Sequence, residues 1–280
     1  DYVYAAVGSH PDAADEVTEA AIEAYRAMAL GNPKVKAIGE IGLDYHYEDI
    51  PRDIQKKAFR MQMALAQELG LPVIVHEREA HEDGMNIVEA FPAVKGVFHC
   101  YSGSLEMAKV LIKKGWYIGF GGVLTFKNAR KAVEVASQIP LERIVLETDC
   151  PYMSPEPFRG KRNDPSRLGL VAEKLAAIRG LSVEEIEAIT LETKAGLIPS
   201  PRESDPLFLY HFYAGMVFTN QMKYTIWNAQ TNPSTTQPAT MPLTPMATSA
   251  TVINSVTVTI MRIFVLAVMP FPAAKSLRFS

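Results

Sequence analysis

Val35-Lys36-Ala37-Ile38-Gly39-Glu40-Ile41-Gly42-Leu43-Asp44 leads through an amphipathic stretch, residues 51–69, into Pro72-Val73-Ile74-Val75-His76. An apolar run, a segment with Phe59, Met63 and Ala66 at helical spacing, and a second apolar run make one strand–helix–strand unit. The pattern extends outward in both directions. Strands are expected at 3–7, 35–38, 72–75, 96–98, 117–120 and 143–146, each followed by a helical pattern. Helices are expected at 12–29, 51–69, 104–114, 165–179 and 182–191, with Ser104 as an N-cap and Ser182-Val183-Glu184-Glu185 as a capping box. Repeated βα units imply parallel strands with helices outside. The expected fold is therefore α/β, a TIM (β/α)8-type barrel that is incomplete, with about six of the eight strand–helix units present. An open doubly wound sheet competes, but its G-x-G-x-x-G loop is absent after the first strand.

The polar residues cluster where strands end. Strand two runs into Gly39-Glu40, strand three into His76, strand four into His99-Cys100-Tyr101-Ser102, and strand six into Glu147-Thr148-Asp149-Cys150-Pro151. In a barrel these tips converge on one mouth, where active sites are built. Glu40, His76, His99 and Asp149 together suit a hard-to-borderline divalent metal site of the hydrolytic kind. Taken singly, each has an ordinary reading: a core histidine, a turn-capping Asp149, a Glu40 paired with a nearby base. The joint placement on four strand ends favours the metal site. Arg159, Lys161 and Arg162, with Asn163 beside them, supply charge suited to phosphate, or else a solvated loop. Arg78 either reaches a phosphate or pairs with Glu77 or Glu79. His46 and His81 read as surface residues, and Cys100 and Cys150 as small packing residues.

Gly39-Glu40-Ile41-Gly42-Leu43-Asp44-Tyr45, Phe98-His99-Cys100-Tyr101-Ser102-Gly103, Glu147-Thr148-Asp149-Cys150-Pro151-Tyr152 and Pro157-Phe158-Arg159-Gly160-Lys161-Arg162-Asn163 resemble the TatD family of metal-dependent deoxyribonucleases. The resemblance runs in unbroken order over about residues 1–197. It implies an amidohydrolase-type TIM barrel that cuts DNA phosphodiesters, often from a 3′ end, with two divalent ions (Mg, Mn or Zn) per site. By it Glu40 bridges the metals, His76 and His99 complete one site, and Asp149 belongs to the other and serves with Glu40 in catalysis. Asp149 would also orient or deprotonate the attacking water. His10, in Gly8-Ser9-His10-Pro11, falls on the substrate side with Arg78, Arg159, Lys161 and Asn163. The family's opening His-x-His, which holds the metal shared with Asp149, occurs nowhere in this sequence. The first strand here corresponds to the family's third, so the first two strands are expected to be missing. Thr190-Leu191-Glu192-Thr193-Lys194-Ala195-Gly196-Leu197 also departs from the family's Thr-x-Glu-Asn-x-x-Arg-Leu-Phe.

Composition divides the chain near residue 200. The 280 residues carry 28 basic and 31 acidic side chains, a net charge of −3, which excludes nucleic-acid binding through bulk positive charge. Only five of those basic and two of those acidic residues lie in 201–280, an about threefold drop in charge density. Residues 198–280 are expected to be an atypical low-charge tail, poorly structured or aberrant. Within it the apolar run 252–269 contains Asn254, Ser255 and Arg262, so membrane attachment is not expected, and its alternation also permits a strand. Two cysteines exclude a disulfide scaffold, and with no basic leader before the first strand the expected compartment is the cytoplasm. An open barrel would leave two strand edges bare.

The leading expectation is a metal-dependent hydrolase of DNA, with DNA as its partner and no stable protein partner. The absent His-x-His puts activity of this chain in question. The alternatives are a metal-dependent amidohydrolase acting on a small ester, lactone or amide, and a non-catalytic structural or metal-binding remnant.

Overall fold

The computed structural model describes residues 4–47, 49–197, 215–217 and 264–267. They belong to one compact unit, Asp1–Phe218 with Arg262–Ser280. Six parallel strands follow one another in space as in sequence and curl into a half barrel: β1 (Tyr4–Val7), β2 (Val35–Asp44), β3 (Val73–Arg78), β4 (Gly96–Phe98), β5 (Tyr117–Phe120) and β6 (Ile144–Leu146). The helices are α1 (Glu19–Gly31), α2 (Arg52–Leu69), α3 (His81–Ala90), α4 (Leu105–Lys113), α5 (Arg130–Gln138), α6 (Leu168–Arg179) and α7 (Val183–Leu197). The expected partial TIM-barrel architecture is what the chain adopts.

Local chemistry sets the boundaries. The helix expected at 12–29 is two pieces, a 3₁₀ turn Pro11–Glu16 and α1, because Thr18 restarts the chain as an N-cap whose Oγ1 accepts from the Ala21 N–H (3.2 Å). The segment expected at 165–179 likewise opens with a 3₁₀ turn, Pro165–Arg167, capped by Asp164. Ser104 caps α4, and Ser182 and Glu185 close a reciprocal capping box at α7 (2.8 and 3.2 Å). Pro72 stays outside β3 because it has no N–H for the ladder; its carbonyl accepts from Ile38 instead.

β2 runs six residues past the expected end at 38. Its register shifts between Ile38 and Ile41 and then locks Gly42 opposite His76. A Cβ on Gly42 would lie 1.9 Å from the His76 carbonyl oxygen, so only glycine lets the two strands approach there. Phe98 and Trp116 pack edge to face at 5.3 Å, and Phe59, Met63 and Ile118 are likewise fully buried.

The β1 edge is covered. Phe264–Ala267 (β8) pairs antiparallel with β1, with Ala5 opposite Val265, and Gly215–Val217 (β7) pairs antiparallel with β8. These two strands are the part of the expected tail that the structure describes. The remainder of 198–280, with most of the apolar run 252–269, lies outside the described residues. Among the described residues no helix is long and apolar enough to cross a membrane.

Candidate metal centre

Two buried glutamines on one face of α2, two turns apart, shape the strand tips. Gln62 accepts from the Ser9 N–H (2.7 Å) and donates to its carbonyl (3.1 Å), fixing the loop that carries His10. Gln55 does the same for Asp44 (2.8 and 2.9 Å) at the end of β2. Each amide satisfies a buried backbone pair that the curling sheet leaves without a ladder partner.

Three imidazoles converge on Glu40, which is 2% exposed. His76 Nδ1 and His99 Nε2 each lie 2.8 Å from Glu40 Oε1, and His10 Nε2 lies 3.9 Å from the same oxygen. The opposite nitrogen of each ring is backed by a carboxylate: His10 by Asp12 (2.8 Å), His76 by Asp44 (3.1 Å) and His99 by Glu147 (3.2 Å). Glu147 also accepts the Cys100 N–H at 2.5 Å. A carboxylate behind a histidine fixes its tautomer and turns the other nitrogen toward a metal.

The electrostatics follow from that packing. Burial opposes ionisation of Glu40, but the facing His99 and His76, with His10 behind them, hold its carboxyl well below the usual carboxylate range. Burial disfavours the charged form of His76, yet Asp44 and Glu40 outweigh it and push the imidazole up to about 9. His99 is raised in the same way by Glu40 and Glu147. Asp149 goes the other way: burial, reinforced by the negative charge of Glu40 and Glu147, pushes it up to about 7 against the pull of His99. Its neighbour in space is Cys100, whose Sγ lies 3.8 Å from Asp149 Oδ2. Both residues hold left-handed backbone (φ 46° and 54°) just beyond their strands, a conformation uncommon outside glycine and one that collects at functional sites.

This donor set fits a divalent ion. Ligand atoms of His10, Glu40 and His76 lie within 4.8 Å of one another, and His99 Nε2 joins them at Glu40. Atoms binding a single ion at about 2.0–2.2 Å stand roughly 3–4 Å apart, so little contraction is required. Imidazole with carboxylate suits Zn²⁺, Mn²⁺ or Mg²⁺ in descending softness. His99, Cys100 and Glu147 form a second cluster, but both Glu147 oxygens are engaged on its partners, which makes Glu147 a support for His99. His10, expected on the substrate side, belongs by geometry to the ligand set.

The cluster floors a cavity of about 950 Å³. Arg78, Arg130, Lys131, Asn128, Tyr47 and Tyr152 line it above the acidic floor. Arg78, expected near the substrate, is there, its guanidinium 5.2 Å from the Tyr47 ring centre. Arg159, Lys161 and Asn163 are not among the lining residues, contrary to expectation. Asn163 is buried and ties its own loop together, donating to the Thr148 and Tyr152 carbonyls (2.7 and 2.8 Å). Arg159 lies over the Phe126 ring at 4.1 Å, and Lys161 is exposed. His46 and His81 are surface residues paired with Glu79 and Glu77. Tyr101 is buried, its hydroxyl donating to the Ser104 carbonyl. His211 lies outside the described residues.

Sequence reasoning missed Asp12, Asp44 and Glu147 as supports, and Arg130 and Lys131 as lining. One signal was present: an acid within a few residues of a candidate site residue, at Asp12 after His10 and at Asp44 after Glu40. That Asp44 backs His76 and Glu147 backs His99 depends on strands brought together by folding.

The chain is similar to a known family and to several of its members. The TatD-related DNase family profile matches residues 1–198. An uncharacterized metal-dependent hydrolase of Bacillus subtilis, YabD, is 48% identical over 194 residues, 69% of this chain and 76% of its own length. An uncharacterized metal-dependent hydrolase of Escherichia coli, YcfH, is 40% identical over 165 residues, 58% of this chain and 62% of its own length. Among solved structures, the TatD homologue YjjV of Escherichia coli superposes with a TM-score of 0.67 at 32% identity, covering 71% of this chain and 77% of that one. A TatD-family hydrolase from Entamoeba histolytica gives 0.62 at 26%, covering 69% and 73%. The chain belongs to the TatD family and is a metal-dependent hydrolase.

Proposed function

We propose that this centre hydrolyses phosphodiester bonds in DNA, from a 3′ end, in the cytoplasm. The observation that carries the reading is the cavity itself. A buried histidine–carboxylate cluster lies under a mouth of about 950 Å³ bearing three cations and the half-exposed rings of Tyr47 and Tyr152. Cations with exposed aromatics suit a polyanion with flat bases; a small neutral lactone or ester needs neither. The family profile and its DNase description support the same choice. Cys100 and Cys150 are not joined in a disulfide, in keeping with a reducing compartment.

Glu40, His10, His76 and His99 would hold a divalent ion, with Asp149 beside them. When bound, such an ion stabilises charge developing on the phosphate and makes a nearby water more acidic. The protein's own groups do the rest. Asp12, Asp44 and Glu147 keep each ring nitrogen that faces Glu40 free of its proton once those imidazoles are neutral. Asp149, poised near neutrality, accepts the proton of the attacking water at its carboxylate and releases it toward the leaving oxygen. The open mouth admits a strand end while buried residues shield the floor.

The test is cleavage of a 3′-labelled and a 5′-labelled oligonucleotide with Mg²⁺ or Mn²⁺, beside a lactone, by the wild type and Glu40→Ala. Metal-dependent loss of the 3′ label, abolished in Glu40→Ala, is expected. Turnover of the lactone with intact DNA would overturn the reading.

A further inference from the structure

Resting on the phosphodiester reading, we propose that Arg130 and Lys131, at the start of α5, are the grip that positions the substrate's phosphate. The segment 159–163 does not perform this role. Both side chains line the cavity above the Glu40 cluster and are exposed. Among the described residues neither has a carboxylate within ion-pair distance, whereas Arg26, Lys56, Lys114 and Arg167 all do. Of the three cations on the cavity, Arg78 lies against Tyr47. Arg130 and Lys131 are the two without such an engagement, facing a space whose floor carries Glu40, Asp44, Glu77 and Asp149.

The backbone agrees. Ala129, the residue before α5, offers no side-chain cap, and the first turn of α5 holds no acid. Two cations there oppose the positive end of the helix dipole, an arrangement that an anion would relieve. The grip is also rigidly joined to the chemistry. Gly122, in the turn between β5 and α5, packs so closely on the loop after Asp149 that a Cβ would lie 1.9 Å from the Met153 carbonyl oxygen. Thr125 Oγ1 accepts the Glu156 N–H at 2.8 Å across the same seam. The turn that leads into α5 and the loop that follows Asp149 therefore pack as one block, and a phosphate held at the start of α5 is set at a fixed place relative to Asp149. Arg suits bidentate phosphate contact, and Lys adds a point charge.

The test uses the full chain and a fluorescent single-stranded oligonucleotide. Binding is read by anisotropy in chelator across a salt series, then steady-state cleavage with Mn²⁺. Arg130→Gln/Lys131→Gln is expected to weaken binding about tenfold at low salt and to flatten the log–log salt slope by about 1.4, from two lost phosphate contacts. In cleavage it should raise KM far more than it lowers kcat, while the charge-preserving exchange Arg130→Lys/Lys131→Arg restores most of the affinity. Arg159→Gln/Lys161→Gln should leave affinity and slope unchanged. Unchanged binding by the Arg130/Lys131 variant beside a binding wild type overturns the grip alone. A wild type that neither binds nor cleaves the oligonucleotide overturns the phosphodiester reading and the grip with it.

Discussion

Glu147→Gln isolates the support behind His99. Glu147 Oε1 accepts the Cys100 N–H (2.5 Å) and Oε2 faces His99 Nδ1 (3.2 Å), so the carboxylate needs two acceptor oxygens. A glutamine of the same shape has one. If its oxygen stays on Cys100, its NH₂ meets His99 Nδ1, which must then accept. The ring proton moves to Nε2, the atom 2.8 Å from Glu40 and aimed at the metal position. If the amide flips, two donors face each other at Cys100, and a buried N–H is orphaned. A lost hydrogen bond to a charged group is worth about 1.5–3 kcal/mol. Loss of an outer partner of a ligating histidine costs about 10–100-fold in metal affinity, or ~1.4–2.7 kcal/mol, so the two scales agree. Competition against a chelating dye at pH 8 measures it, with circular dichroism to establish that the variant is folded. A folded variant whose metal affinity stays within twofold of wild type would refute the tautomer argument.

Three other outcomes are expected. Gly122→Ala forces a Cβ onto the Met153 carbonyl oxygen and should destabilise by about 1–3 kcal/mol, roughly 2–4 °C of Tm per kcal/mol for a chain of this size, while lowering kcat; an unchanged melt contradicts the close-packed seam. Asn163→Ala removes two amide donations and takes the buried Thr148 carbonyl's amide partner away, costing about 1–3 kcal/mol of stability, and oligonucleotide affinity of the folded fraction should hold; a large loss of affinity with intact stability would return Asn163 to the substrate side. Removing metal should make stability fall as pH rises. His76 is raised to about 9, so its contribution is complete below about 6.5 and lost through 9; Asp149, raised to about 7, loses its contribution as pH climbs to 7. Metal competes with those protons, so melts at pH 6.5 and 9 should diverge in chelator and converge with saturating Mn²⁺; a chelated protein that gains stability over this range would contradict the assignment.

Strand ends were legible because a β-strand announces itself locally. The apolar run Val73-Ile74-Val75 gives way to His76, inside a β3 that continues to Arg78, and Gly96-Val97-Phe98 stops at His99, so ligand-type residues stand out where the apolar runs end. The same locality explains the capping box at Ser182, whose four residues contain the whole interaction. The length of β2 was not legible, since glycine weakens a strand locally and only the close approach of β3 makes Gly39 and Gly42 necessary.

What the sequence by itself determined is the order of elements, the half-barrel class and the candidacy of Glu40, His76 and His99, which meet in the fold, and of Asp149, which lines the same cavity, because hydrophobic period and residue chemistry are written along the chain. Tertiary structure alone decided which acid backs which histidine. It also brought His10 into the ligand set and turned Asn163 into a loop tie. Over the floor the expected Arg78 is joined by Arg130 and Lys131, where Arg159 and Lys161 were expected. The meetings of His76 with Asp44 and of His99 with Glu147 join side chains 32 and 48 residues apart at about 3 Å. Such meetings are fixed by strand register and loop packing, which no local pattern encodes.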